Sequence, residues 1–477
     1  MSSRAEARLA AAAAAAVLLA GCAGPDMRAA IGEANALAAP VSGQAKTELL
    51  RNHSQRQAAT ALAGELLSAP LTMDGAVQLA LANSPAFQAS LAQGWEEIAN
   101  ARQRGLPGGL VFSFERLREG ADLELGRMLS VGLFDLITLP QRRALAELAT
   151  GQARVKMAGA IVDQVAAARQ AWVRAVAARE IELYATQVKD AAEASAELAR
   201  RMQAVGNFTK LQAARQHLFY ADATSRLAAA RQQTVASREE LVRQLGLNAE
   251  QARLLKLPDR LPDLPKAPKA AEQVSSALAA QRLDARLARL ELEAAGRARG
   301  VDLASSLADM ELGVRRDTRF EGHGEKSTTR GWELEIRLPL FDWGATRRDA
   351  LDARTLAAAN RYEAVARAAS SQVRESYAAY RTAYDQAKHQ RDEMVPLRKT
   401  ISEENLLRYN GMMIGVFELL ADAREQVGGV ISAIEAQRDF WIADASLSNA
   451  LIGRPQAGGA SSAPSAGGSA PAAEAGH

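Results

Sequence analysis

"GWELEIRLPLFDW" (residues 331–343) is spelled differently from the sequence around it. Trp332, Leu334, Ile336, Leu338 and Leu340 alternate with Glu333, Glu335, Arg337 and Pro339, the period-two pattern of a strand with two unlike faces. Much of the rest is Ala, Arg, Glu, Leu and Gln, the residues that lose least on entering a helix. A largely helical chain therefore contains at least one two-faced strand.

The strand is not alone, because the chain is duplicated. "GLFDLITLPQRRALAE" from Gly132 matches "PLFDWGATRRDALDA" from Pro339, with Leu133-Phe134-Asp135 on Leu340-Phe341-Asp342, 207 residues apart. "GNFTKLQAARQ" from Gly206 aligns without gaps to "GVFELLADARE" from Gly415 at an offset of 209, and Leu245-Gly246 answers to Ile452-Gly453 at 207. Ahead of Phe134 the first half alternates again through Leu123, Leu125, Leu129, Val131 and Leu133. "GLVFSFERL" from Gly109 and "ADMELGVRR" from Ala308 supply one further strand per half, so each half is expected to hold a two-stranded hairpin.

Strands of about nine to twelve residues suffice to cross a bilayer when tilted, with an apolar face to lipid and a polar face to a lumen. Trp332 at one end of the last strand, and Phe341 with Trp343 at the other, are expected as interfacial aromatics. Arg127 and Arg316 interrupt the apolar rows, which suits a membrane only near the headgroups. Four strands are too few to close a barrel, and an open edge in lipid leaves backbone groups unsatisfied. Closure must come from other copies: two chains leave little lumen, whereas three give twelve strands and a usable pore.

From Pro140 to about Ala204 there is no proline, and Leu145, Leu148, Val155, Val162, Val165, Trp172 and Val176 recur at steps of 3, 7, 7, 3, 7 and 4. That is a coiled-coil-like seam, and a helix of this length extends on the order of 100 Å. The chain returns after Gly206, and the second half repeats the hairpin with a turn near Gly411 and Gly415. Three chains with two hairpins each would make a ring of twelve helices.

Composition agrees with long packed helices: aromatic content is only 5%, and much of the 48% hydrophobic content is alanine. The net charge is +3, with cations and acids interleaved, so no nucleic-acid surface is indicated. The histidines at 53, 217, 323, 389 and 477 lack metal-ligand spacing, and "GLPGGL" lacks the Lys-Ser/Thr of a phosphate loop. No catalytic residue, cofactor or metal site is expected.

At the N-terminus Arg4 and Arg8 precede an apolar run from Leu9 to Ala20, too short to span a bilayer and shaped like a secretory signal. Leu19-Ala20-Gly21-Cys22 resembles a bacterial lipobox, and Cys22, the single cysteine, is the expected lipidation site. Ala23 follows it in place of the Asp that retains such lipoproteins in the inner membrane, which favours the outer membrane. The expected division is a signal peptide over 1–21, a lipidated and Ala-rich lead-in over 22–70, a first repeat over 71–247, a proline-rich connector over 248–273, a second repeat over 274–453 and a disordered tail over 454–477.

Over roughly residues 71 to 453 this order resembles the TolC-type outer membrane efflux proteins. "LTMDGAVQLALANSP" from Leu71 is similar to their opening, "PLFDWGATR" from Pro339 to their second strand-to-helix junction, and "RYNGMMIGVFELLADA" from Arg408 to the turn of their second hairpin. Arg282-Leu283-Asp284 departs from the Arg-Pro-Asp that often opens the second half, and the turn between Tyr409 and Glu418 holds its glycines at Gly411 and Gly415. The resemblance implies a homotrimer: a twelve-stranded β-barrel in outer-membrane lipid, continued by a twelve-helix barrel across the periplasm, that docks on a periplasmic adaptor and an inner-membrane pump.

It also implies a ring of acids at the pore entrance, the first nine residues after the turn tyrosine and the second three further on. Glu418 meets the first condition. Asp422, four residues on instead of three, supplies the second and stays on the same helix face. The hairpin turns, with Gly206, Phe208 and Thr209 in one and Gly411, Met413, Gly415 and Phe417 in the other, are the candidate adaptor-docking tips; the alternative is that the two phenylalanines close each hairpin's own core. Thioethers such as Met412 and Met413 suit soft ions like copper(I), but exposed methionines at a turn more commonly form an adaptable protein-binding surface. The rival readings are a lipidated periplasmic adaptor and a coiled-coil scaffold without a channel.

Overall fold

The computed structural model describes residues 27–120, 122–271, 282–307, 309–321, 325–337 and 345–453. Cys22, Phe341 and Trp343 lie outside these residues, as do the segments expected to be a signal peptide and a disordered tail. The first repeat and its lead-in run α1 (Met27–Ser42), α2 (His53–Leu67), α3 (Met73–Asn83), α4 (Pro85–Arg104), β1 (Val111–Glu119), β2 (Asp122–Gly132), α5 (Leu133–Ile137), α6 (Leu139–Ala204) and α7 (Lys210–Leu245). A short α8 (Ala249–Leu254) starts the connector. The second repeat runs α9 (Leu283–Leu307), β3 (Asp309–Phe320), β4 (Lys326–Arg337), α10 (Ala345–His389), a π-helical turn (Gln390–Met394), α11 (Val395–Asn410) and α12 (Val416–Ile452).

Local chemistry explains where the helices start. The Thr72 hydroxyl accepts from Gly75 N–H at 3.0 Å to cap α3, and Pro85, at the first turn of α4, needs no intrahelical partner for an N–H it lacks. Thr209 and Gln212 form a reciprocal capping box on α7. The seam of α6 is where its spacing put it: Val155, Val162, Val165, Trp172 and Val176 are all buried. The indole of Trp172 donates to Leu71 O at 2.8 Å, which ties the start of the first repeat to the middle of its longest helix.

The second long helix differs in one respect. Pro396 has no N–H to give, and the helix accommodates it beside the π-helical turn, where the regular ladder is already widened. Both long helices nonetheless begin and end in step. Leu139 and Ala345, Ala204 and Asn410, and the caps Thr209 and Gly415 are each 206 residues apart.

That register corrects the gapless alignment at 209. At the first tip Val205, Gly206 and Asn207 donate backbone N–H groups to Arg201, Gln203 and Met202; at the second Gly411, Met412 and Met413 donate to Leu407, Tyr409 and Arg408. Every donor and acceptor is displaced by 206. The left-handed residue of the first turn, Gly206 at φ +80°, thus corresponds to Met412 at φ +57°, while Gly415 is the N-cap of α12. Similar side chains slid the sequence alignment by three residues, whereas backbone hydrogen bonds fix the turn.

The lead-in is part of the core. On α1 Met27, Ala30, Ile31, Ala34, Ala38 and Val41 are buried in one cluster with α6 residues Val155, Ile161 and Val162, and Arg154 pairs with Glu33 at 2.7 Å. Small alanines let α1 lie close to α6. Their i, i+3, i+4 spacing was readable but hidden by the alanine-rich composition.

The proline-rich connector forms a strap over the helices. Its carbonyls are taken by side chains: Pro262 O accepts from Trp441 Nε1 at 3.0 Å and Pro265 O from the Tyr384 hydroxyl at 3.1 Å, while Lys269 N–H donates to the Tyr380 hydroxyl at 3.1 Å. Leu261 donates its N–H to Glu180 at 3.2 Å, yet burial outweighs that bond and pushes the Glu180 carboxyl above its ordinary range.

Each repeat closes on its own beginning through a left-handed glycine. Gly246, at φ +65°, caps α7, and a Cβ there would stand 2.6 Å from Ser84 Cα. Asn83 reaches over it to donate to Leu245 and Gly246 carbonyls. Gly246→Ala is expected to destabilise the protein by roughly 2 kcal/mol or more, from left-handed strain plus the clash, read as a lower thermal midpoint in detergent.

The four strands make one antiparallel sheet in the order β1-β2-β3-β4, so the two hairpins join through β2 and β3. The strand-to-helix junction after β2 is held by Asp135, which pairs with Arg142 at 2.7 Å. Trp332 falls in the middle of β4 rather than at its end, because the strand begins at Lys326, six residues before it. Among the described residues no helix is long and apolar enough to cross a membrane.

Candidate functional site

Register sorts the strand side chains onto two unlike faces. One carries Phe112, Leu129, Val314 and Trp332 in a single cross-strand row, with Val131, Leu312 and Leu334 in the next. These side chains are not covered: Phe112 is 64% exposed, Val314 65% and Trp332 74%. An apolar face this continuous has no place against water. Toward the hairpin tips the next row reads Phe114, Arg127, Arg316, Arg330. Arg127 and Arg316, which interrupted the apolar rows in the sequence, therefore lie side by side at the edge of the band, joined by Arg330. Trp332 is in the row next to this boundary.

The opposite face is polar and mainly acidic. Glu115, Glu124, Asp317, Glu311, Glu333 and Glu335 share it with Arg315, Arg319 and Arg337; Arg315 pairs with Asp317 at 2.7 Å and Arg319 with Asp122 at 3.2 Å. Among the described residues β1 and β4 are the edges of the sheet, each with one row of backbone groups that no further strand pairs.

At the far end of the long helices lie the turns. Gly206, Thr209, Gly411, Met413 and Gly415 are exposed and Phe208 is half-buried; Met412 and Met413 are 93% and 79% exposed. The side chain of Phe417 lies outside the described residues. Near the first tip, Arg200 and Arg201 hold the Glu197 carboxyl down to about 2, so this exposed cluster stays charged. Among the described residues no three His, Cys, Asp or Glu side chains converge in a metal-binding group.

Glu418 is in the first turn of α12 and exposed, and Asp422 is one turn on and half-buried. Neither has an ion-pair partner among the described residues, and Asp422 Oδ2 is buried there without a hydrogen bond. Arg424, the nearest cation along the helix, is engaged elsewhere. Its guanidinium lies 4.8 Å over the Phe219 ring.

A four-stranded sheet continued by two long antiparallel helical hairpins is the fold of the TolC-type outer membrane channels. Residues 268–402 match the family described as outer membrane efflux protein. The chain is similar in structure to the CmeC outer membrane channel of Campylobacter jejuni (14% identity, TM-score 0.68, 80% of this chain and 86% of that one). It is also similar to the outer membrane protein VceC of Vibrio cholerae (16%, 0.66, 80% and 96%) and to the MtrE outer membrane channel of Neisseria gonorrhoeae (18%, 0.63, 80% and 89%). No curated protein sequence matches the chain significantly. The family is one of transporters, not enzymes.

Proposed function

We propose that this protein is the outer membrane channel of an efflux system. Three copies would close a twelve-stranded barrel in the membrane and a twelve-helix barrel beneath it, open to an adaptor and an inner-membrane pump that deliver small molecules or ions. The observation that carries the reading is the sheet: its apolar face is uncovered, its opposite face gathers the acids, and its two edges lack partners among the described residues. Closure by further copies resolves all three at once. Purified protein should run as a heat-resistant trimer on a denaturing gel and conduct in planar bilayers; a monomer without conductance would support the adaptor or scaffold reading.

Two finer parts of this reading are separately testable. Cys22 is the proposed lipid anchor on the periplasmic side, so Cys22→Ser should abolish incorporation of labelled palmitate while the barrel keeps the protein in the membrane and partly functional. Continued labelling would place the modification elsewhere. The tips are the proposed adaptor-docking surface, and photocrosslinkers at Thr209 and Met413 should capture the adaptor; capture from neither position would leave the turn residues as hairpin closure alone.

A further inference from the structure

We propose that the tip end of the apolar sheet face is a phosphate-binding girdle for the phosphorylated glycolipid, lipid A, of the outer leaflet. The proposal rests on the channel reading above. It starts from an asymmetry of charge. Arg116, Arg118, Arg127, Arg316, Arg330 and Lys326 all fall on the same face as Trp332, and no acidic residue shares that face. The polar face holds the acids, and its Arg315 and Arg319 are neutralised by them.

None of the girdle cations is ion-paired among the described residues. Arg127 donates to the Thr318 hydroxyl at 3.3 Å, and its Nε is buried with no acceptor. Arg127 stands directly opposite Arg316, and Arg316 opposite Arg330. Like charges at directly paired positions repel and destabilise a sheet. An anion with several oxygens placed over the row removes that penalty and supplies acceptors for neighbouring guanidinium groups, which phosphate suits by its geometry.

The position selects the lipid. Arg330 is two residues from Trp332, about 7 Å along the strand, so the row sits where an interfacial tryptophan marks the start of the headgroups. The cations occupy only the hairpin-tip end; toward the helices the same face ends in Met310 opposite Ile336. With the helices in the periplasm, the tips face the cell exterior, where the headgroups are those of lipid A. A charge of one sign at one end of the band matches that leaflet. Three copies would make the girdle continuous around the barrel.

The test compares the purified full-length protein with the variant Arg127→Gln/Arg316→Gln/Arg330→Gln. Thermal midpoints in detergent are measured against added lipid A, dephosphorylated lipid A and phosphatidylglycerol, with conductance recorded on each preparation. Lipid A should raise the wild-type midpoint, and the triple variant should need at least ten-fold more of it; Arg315→Gln, on the opposite face, should respond as wild type. Arg330→Gln alone, on an edge strand, provides a milder variant whose response should be intermediate. Equal response to dephosphorylated lipid A, or an unchanged triple variant, would overturn the phosphate girdle. Equal saturation by phosphatidylglycerol would overturn the assignment to lipid A. A conducting protein with either result leaves the channel reading standing, whereas a wild-type protein that never conducts removes the reading on which the girdle rests.

Discussion

Replacing Arg282 by Met is expected to lower stability by about 3–5 kcal/mol, the usual loss when one partner of a buried ion pair is left alone. The Arg282 side chain is 2% exposed and that of Asp284 12%. Its guanidinium makes a two-point contact with the Asp284 carboxylate at 3.0 and 2.6 Å and also donates to Ala450 O at 2.7 Å and Gln372 Oε1 at 3.0 Å. One side chain thereby fastens the start of α9 to α10 and to the end of α12. Leu283 between them, where the sequence resemblance led to an expected proline, is 1% exposed, so the departure leaves the clamp intact. Gly453, at φ +74°, closes over it, and a Cβ there would stand 2.4 Å from Asp284 Oδ1. The check is the thermal midpoint in detergent by circular dichroism. Arg282→Met/Asp284→Leu should recover much of the loss, because no buried charge is then left unpaired. A single variant that melts with wild type would show that the clamp contributes nothing.

The second large effect is on permeation. Glu418→Ala combined with Asp422→Ala is expected to abolish cation selectivity and to weaken block by divalent or polycationic blockers by roughly ten-fold, about 1.4 kcal/mol. The expectation follows from charge left uncompensated: no ion pair neutralises either acid among the described residues, and Arg424 is turned to Phe219. In a trimer the two positions would bring up to six carboxylates to one constriction. Single-channel recordings with asymmetric salt measure the reversal potential directly. An unchanged potential and unchanged block in the double variant would mean that the selective ring is built from other residues, with the acidic face of the sheet as the next place to look.

Much of the architecture could be read before any coordinates. The alternation around Trp332 and the seam from Val155 to Val176 report period two and period three-and-a-half, and those periods depend only on neighbouring residues along the chain. They located β1, β2 and β3 to within about four residues and a 66-residue helix almost to its ends, but placed the start of β4 five residues late, because Lys326–Arg330 does not alternate. The hairpin turns were legible too, because each lies next to a break in a long periodic run, whereas Glu418 and Asp422 were singled out only by the resemblance at the second turn. The arginine row was half legible: Arg127 and Arg316 stood out as blemishes, but Arg330 did not, since only pairing brings it beside Arg316.

By itself the sequence determined the elements, their duplication and the two-faced character of the strands, since local spacing and composition decide these. Tertiary structure alone decided how distant elements meet: that β2 pairs with β3, that the tips repeat at 206 rather than 209, that α1 belongs to the core and that the proline-rich connector is a strap. The reason is physical. A two-residue period cannot specify which strand lies alongside or in what register, and a carbonyl of Pro262 finds Trp441 only when the chain between them has folded back.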